Sequence, residues 1–285
     1  MLGYYFGKFD VLRGKDLQEL DEIIQKNKEK GNEHFALAVY DDQLCEALNI
    51  GTPLKSIEDR LKIVQELSGV DFAFSIPSKD SKIVVAKAKE AYEKFLGDKE
   101  KMNEEQEKPK KYKIGYVPGT YDLFHAGHLE NLLEASANCE KLVVGVKSDS
   151  LVQEQKKINP TISASERIEI LRHFRFVDNV YQFYTRDPHT AMSWIESKYG
   201  QPADAMFVGS DLRDDYKRIE DINVVYTNRD LKNMSTRSSS GYRKKLQILG
   251  FAADDPNNKY TGPRISVKRN DIEKDEIEGM GYLEV

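Results

Sequence analysis

Two stretches of the chain alternate apolar runs and helical periodicity in the same order. LGYYF opens the first and YKIGYV the second, each of strand length. A helical pattern follows each; in the second, Leu129, Leu132 and Leu133 share one face. Further apolar runs end at Asp42 (ALAVYDD) and Asp149 (LVVGVKSD). The order strand, helix, strand, helix, strand predicts an α/β fold with a parallel sheet in each stretch. The second stretch continues with strands at Ala205–Val208 and Val224–Tyr226 and a helix after Ser235. The first ends near Leu96 after one more helix, KIVVAKAKEAYEKF.

The two stretches also share spacings. An arginine follows each aspartate by eighteen residues (Arg60, Arg167), and an aspartate follows each arginine by eleven (Asp71, Asp178). Ser163 with Glu166 forms a capping box, and Ser56 with Asp59 a weaker form of it. The chain therefore reads as a tandem repeat: a first repeat over 1–97, a charged linker over 98–111, a second repeat over 112–249 and a tail over 250–285. The linker is GDKEKMNEEQEKPKKYK, poor in apolar residues. The tail shows no clear period and is expected on the surface or partly disordered.

Composition narrows the function. Of 285 residues, 39% are hydrophobic and 32% charged, enough for two modest cores. A net charge of −5 excludes a general nucleic-acid binder. Two separated cysteines, Cys45 and Cys139, give neither a zinc site nor a disulfide framework, so a cytoplasmic setting is expected. The N-terminus does not read as a signal peptide, and no apolar run reaches membrane-spanning length.

The chemistry concentrates in Gly119-Thr-Tyr-Asp-Leu-Phe-His-Ala-Gly-His128, a strand-to-helix turn. In α/β sheets ligands bind outside the carboxyl ends of such strands, and helix N-termini suit phosphate. Gly119 is expected to permit a tight turn and close approach by a ligand, and Gly127 to keep the space between the histidines open. His125 and His128, three residues apart, share a helix face and point two imidazoles at one phosphoryl group. No nucleophilic side chain is needed if the acceptor's own phosphate attacks. A metal site is the weaker reading, as no third ligand is obvious nearby.

GTYDLFHAGH resembles the HxGH signature of the nucleotidyltransferase superfamily, nearest to the cytidylyltransferases acting on glycerol 3-phosphate, phosphoethanolamine and phosphocholine. VVGVKSDS, ISASERIEILRHFRFVDNV, FVGSD and MSTR (Met234–Arg237) resemble further elements of that family, in order. The resemblance implies two Rossmann-like nucleotidyltransferase domains in tandem, the second of them catalytic. It implies transfer of CMP from CTP to a small phosphorylated alcohol, glycerol phosphate-like by preference, with release of pyrophosphate. It places His125 and His128 on the triphosphate, Thr120 and Tyr121 beside the nucleotide, and Asp122 in support of the turn. Lys156 or Lys157 would reach the phosphates and Arg175 a phosphate of CTP or acceptor. Asp211 and Arg229 would lie near the nucleotide, and Ser235 and Thr236 would meet phosphate at the start of the last helix. Mg2+ would arrive with CTP.

The pattern departs from the family before MSTR, where R-T-x-G is replaced by Arg229-Asp-Leu-Lys-Asn-Met. Adenylyl transfer and a non-catalytic nucleotide-binding module are the competing readings. In the first repeat Lys8 stands for Thr120, Arg13 for His125, Asp16 for His128 and Ser68 for Arg175, so that repeat is expected to be catalytically dead. It is expected either to stand in for a second subunit, as a pseudo-dimer within one chain, or to accompany a homodimer.

Overall fold

A computed structural model describes residues 2–104, 109–212, 216, 219, 221–227, 238–248 and 280–283. The chain divides into two compact units, one of Met1–Lys108 with Pro263–Val285 and one of Pro109–Gly262.

The first unit runs β1 (Leu2–Gly7), α1 (Gly14–Glu29), β2 (His34–Tyr40), α2 (Asp42–Ala47), α3 (Ile57–Val64), β3 (Phe72–Ile76) and α4 (Ser81–Glu104). Its sheet has the order β3-β2-β1-β9, with β1, β2 and β3 parallel. The fourth strand, β9 (Met280–Leu283), comes from the tail and pairs antiparallel with β1, Leu2 opposite Leu283 and Tyr5 opposite Met280. A strand of four residues pairing through its backbone is too short to show a period, which is why the tail reads as structureless in sequence. The charged stretch expected as linker is helical through Glu104. Its Lys, Glu and Met residues are good helix formers, and no proline intervenes before Pro109.

The second unit runs β4 (Tyr112–Gly119), α5 (Ala126–Asn138), β5 (Cys139–Lys147), α6 (Asp149–Lys156), α7 (Ala164–Arg172), β6 (Asn179–Phe183), α8 (Pro188–Tyr199), β7 (Ala205–Gly209), a 3-10 turn (Ser210–Leu212), β8 (Val224–Thr227) and α9 (Ser239–Ile248). All five strands are parallel in the order β6-β5-β4-β7-β8. From β4 the chain moves outward to β5 and β6, then returns past β4 to form β7 and β8. The winding thus reverses between β4 and β7, where an open α/β sheet leaves a crevice at its carboxyl edge. Val117, Val143, Val144 and Val146 are fully buried, as expected of strands covered on both faces. Among the described residues no helix is long and apolar enough to cross a membrane.

The shared spacings have a structural cause in both units. Among the described residues Arg60 and Arg167 are the largest fully buried side chains. Arg167 donates Nε to the Ile162 carbonyl at 2.9 Å, Nη1 to the Thr120 carbonyl, and Nη2 to the Lys147 carbonyl at 2.9 Å and to Asp149 at 2.5 Å. Arg60 repeats the set on Lys55, Lys8, Tyr40 and Asp42. Each guanidinium therefore ties the ends of two neighbouring strands to the start of its own helix, using the fixed fork of donors that only arginine supplies. Eleven residues on, Asp178 Oδ2 accepts from Leu142 N–H at 2.7 Å and Asp71 Oδ2 from Phe35 N–H at 2.8 Å, each pinning the start of a strand. Asp204 does the same to Ile114 N–H at 2.8 Å.

Arg167→Ala leaves three carbonyl oxygens without their donor and is expected to cost on the order of 3 kcal/mol. Urea denaturation measures it. Arg167→Lys is expected to recover little, since one ammonium cannot span the same acceptors.

Candidate active site

The turn after β4 is built on strain that the surroundings hold. Tyr121 and Leu123 have positive φ, 57° and 49°, costly for residues with a Cβ. Both are buried, at 3% and 1% exposure, and the Tyr121 hydroxyl donates to the Val117 carbonyl at 3.1 Å. Gly119 makes room for this ring, because an added Cβ would stand 2.6 Å from it. The glycine thus gives the Tyr121 ring its place beneath the turn. Tyr121 does not present its side chain to solvent; it supports His128, with ring centroids 5.2 Å apart.

Asp122 is fully buried and collects four donors. Its carboxylate accepts from Thr161 N–H at 3.0 Å, Ile162 N–H at 2.9 Å, and Arg243 Nε at 3.1 Å and Nη2 at 3.0 Å. Its carbonyl accepts from Ser239 Oγ at 2.6 Å. One side chain thereby joins the turn, the segment before α7 and the first turns of α9.

His125 is the N-cap of α5, and its carbonyl accepts the N–H groups of His128 at 2.9 Å and Leu129 at 3.1 Å. The His125 side chain makes no capping hydrogen bond. The rings stack 3.8 Å apart at 23°. Phe124 packs beside His128 at 5.6 Å, and Tyr242 of α9 beside His125 at 5.9 Å. A Cβ on Gly127 would press the His125 ring at 3.3 Å. The histidines are 6% and 9% exposed.

Lys156 ends α6 facing the same cluster. The residue is exposed by surface area, yet enough protein surrounds its ammonium to lower its pKa, burial first and then Arg243, against the pull of Asp122. Lys157 adopts a left-handed conformation and lines a surface recess with Ser150, Gln153 and Glu154. Thr120 contributes its carbonyl to Arg167. Arg175 is exposed in the turn after α7; its neighbour Phe174 packs on Phe124 at 4.7 Å. Asp211 is exposed in the 3-10 turn after β7. The structure thus brings together His125, His128, Asp122 and Lys156. Arg229, Ser235 and Thr236 lie outside the described residues.

The last helix follows Ser235, as its sequence pattern predicts. Ser238 accepts Gly241 N–H at 3.1 Å and α9 begins at Ser239. Ser239, Tyr242 and Arg243, unremarked in the sequence reading, are the residues that reach the turn. Their spacing of three and four on one helix face was the available signal.

The first unit closes the corresponding turn from within. Asp10 accepts from Leu54 N–H at 2.8 Å and Lys55 N–H at 3.0 Å, as Asp122 does from Thr161 and Ile162. Lys55, 3% exposed, donates its ammonium to the Asp10 carbonyl, the role Ser239 has in the second unit. Burial lowers the Lys55 pKa, opposed by Asp10 and Asp59. Lys8 takes the place of Arg243, 3.9 Å from the Asp10 carboxylate.

With this geometry in hand, comparison with known proteins is informative. The model of the family described as cytidylyltransferase-like matches residues 116–267, just over half of the chain. An FAD synthase of Thermococcus kodakarensis is 41% identical over 76 residues, 27% of this chain and 50% of that protein. An ethanolamine-phosphate cytidylyltransferase of Dictyostelium discoideum is 45% identical over 69 residues, 24% and 19% of the two chains. The bifunctional protein HldE of Wolinella succinogenes is 32% identical over 140 residues, 47% and 27%. The chain thus spans half or less of the length of these relatives.

Gly119→Ala drives a methyl into the Tyr121 ring and is expected to cost about 1–3 kcal/mol, the usual penalty of overpacking. Thermal denaturation checks it, and Gly127→Ala, with contacts at 3.3 Å, is expected to cost less.

Proposed function

The chain belongs to the cytidylyltransferase-like family, and we propose that it acts as a nucleotidyltransferase, transferring CMP from CTP to a small phosphorylated alcohol and releasing pyrophosphate. The observation that carries this reading is the stacked His125–His128 pair at the start of α5, with Arg243 and Lys156 converging on the same turn through Asp122. A phosphate oxygen of the acceptor attacks the α-phosphorus of CTP, a new P–O bond forms, and the bond to the β-phosphate breaks. Negative charge grows on the phosphoryl oxygens and the leaving pyrophosphate. The imidazoles donate to those oxygens, while Arg243 and Lys156 offset the charge of the triphosphate.

Each donor is positioned before substrate arrives. Asp122 fixes Arg243, Tyr121 and Phe124 wedge His128, and Tyr242 flanks His125. Thr120 and Asp211 are proposed to line the nucleotide's approach at the carboxyl edge. Arg175 and Lys157 are proposed to assist at the phosphates, and Arg229, Ser235 and Thr236 at the nucleotide. Mg2+ is proposed to enter on the triphosphate and neutralise its oxygens. The residues fit a cation held by phosphate: Asp122 already has its donors, and among the described residues no group of three or more His, Cys, Asp or Glu is arranged for a metal. The first unit, with Arg13 for His125 and a turn closed by Lys55, is proposed to be catalytically silent. The match to an FAD synthase favours adenylyl transfer as a second reading.

His125→Ala and Arg243→Ala are each expected to lower kcat by about 10²–10³, the cost of one transition-state donor. Pyrophosphate release from CTP with glycerol 3-phosphate, phosphoethanolamine or phosphocholine measures it. Release that persists in His125→Ala at the native rate would remove the histidine pair from the chemistry, and release from ATP alone would establish the second reading.

A further inference from the structure

Helix α5 carries the histidine pair at its start and packs against β4 and β5 and also against β7 and β8. It therefore spans the point where the winding of the second sheet reverses. Beyond the histidines its buried residues are Leu129, Asn131, Leu132 and Ala135. Asn131, 4% exposed, is the polar one among them, and it lies three residues after His128 on the same face. Asparagine is a poorer helix former than leucine, and a buried amide is costly unless it is bonded. Packing alone would favour leucine here.

The Asn131 amide meets Thr227, the last residue of β8, which is fully buried. Thr227 Oγ1 donates to Asn131 Oδ1, 96 residues away in sequence, and reaches the Val208 carbonyl of β7 at 3.1 Å. One hydroxyl thus ties the histidine helix to the ends of both strands on the far side of the reversal. Asp211, in the turn that follows β7 and proposed above to line the nucleotide's approach, belongs to that side. Apolar contact would hold the same elements together without fixing their offset, because it is non-directional. A buried hydrogen bond fixes the offset, because it is strong in one geometry only.

We infer that Asn131 and Thr227 are positioning residues: the bond between them sets the histidine helix against the ends of β7 and β8, so that the triphosphate and the nucleoside of one nucleotide meet the two sides of the crevice together. The inference rests on the transfer reaction proposed above. Both side chains are buried, so each acts through the groups it holds. A ligand that bridges two sides gains both sets of contacts only when their separation is prealigned, and a displacement of about an ångström forfeits much of that gain.

Apolar isosteres in the full chain test this. Asn131→Leu combined with Thr227→Val removes both partners at nearly constant shape, so the circular dichroism and melting temperature are expected to stay near native. Calorimetric titration with CTP and with ATP is expected to show nucleotide affinity reduced by about tenfold or more. Inorganic tripolyphosphate, which needs the histidine side alone, is expected to bind the native and double-variant proteins alike. Thr227→Ser keeps the hydroxyl and is expected to keep native nucleotide affinity. In turnover the KM for CTP is expected to rise while the KM for the acceptor holds. Where the double variant melts early, Thr227→Val against Thr227→Ser, both folded, makes the same comparison. Native nucleotide affinity in the folded variant overturns the inference and leaves the pair a packing feature. An equal loss for tripolyphosphate also overturns it, since the histidines themselves would then be displaced. A native protein that binds neither CTP nor ATP overturns the transfer reading as well, so the two failures are distinguishable.

Discussion

The buried carboxylate of Asp122 is the constraint on which the second unit's candidate site depends. A fully buried charge is tolerable only when its lone pairs are filled, and here two backbone amides and one arginine fill them. The consequence is geometric. The turn before α5, the segment entering α7 and the first turns of α9 lie far apart in sequence, 39 to 121 residues, and meet at one side chain. The histidine pair inherits its position from that junction. Tyr242, one residue before Arg243, comes to rest beside His125 by the same anchoring.

The first unit shows how much of this arrangement is fold and how much is chemistry. Asp10 keeps the two amide contacts and Arg60 keeps the strand-to-helix tie, so the architecture survives. What changes is a set of side chains around the turn. Lys55 replaces the contact made by Ser239 of α9, Lys8 that made by Arg243, and Arg13 sits at the helix start in place of His125. A lysine 3% exposed whose ammonium is spent on a backbone carbonyl is a structural group. The edge of β1, which corresponds to the side of β4 taken by β7, is covered by the antiparallel β9 from the far end of the chain. An apolar strand left open there would be a site for unwanted pairing.

Much of this was legible in the sequence because it is periodic or local. The parallel α/β order follows from alternating runs, and the Asp–Arg–Asp spacings follow from one guanidinium and one strand pin repeated in each unit. His125 and His128 are legible because three residues on a helix start fix their relation. The contacts that assemble the site were not legible, since no local pattern shows that Arg243 will find Asp122. Nor does a local pattern show that Ser239 will reach the Asp122 carbonyl. The burial of Tyr121 was not legible either, since it follows from a positive φ and the space left by Gly119. The helix through Glu104 and the strand at Met280–Leu283 escaped because charge and brevity hid them.

The most direct measurement of the central claim is calorimetric binding of CTP, and separately of ATP, to Asp122→Asn. Asparagine preserves size and keeps one oxygen to accept from one of the Thr161 and Ile162 amides, which donate to separate oxygens of Asp122, but it removes the charge that holds Arg243. The account predicts a folded protein by circular dichroism with nucleotide affinity reduced by about tenfold or more, the loss of one charge-assisted contact and its preorganisation. Native affinity in Asp122→Asn would contradict it, showing that Arg243 and the histidine pair reach the nucleotide without the junction at Asp122.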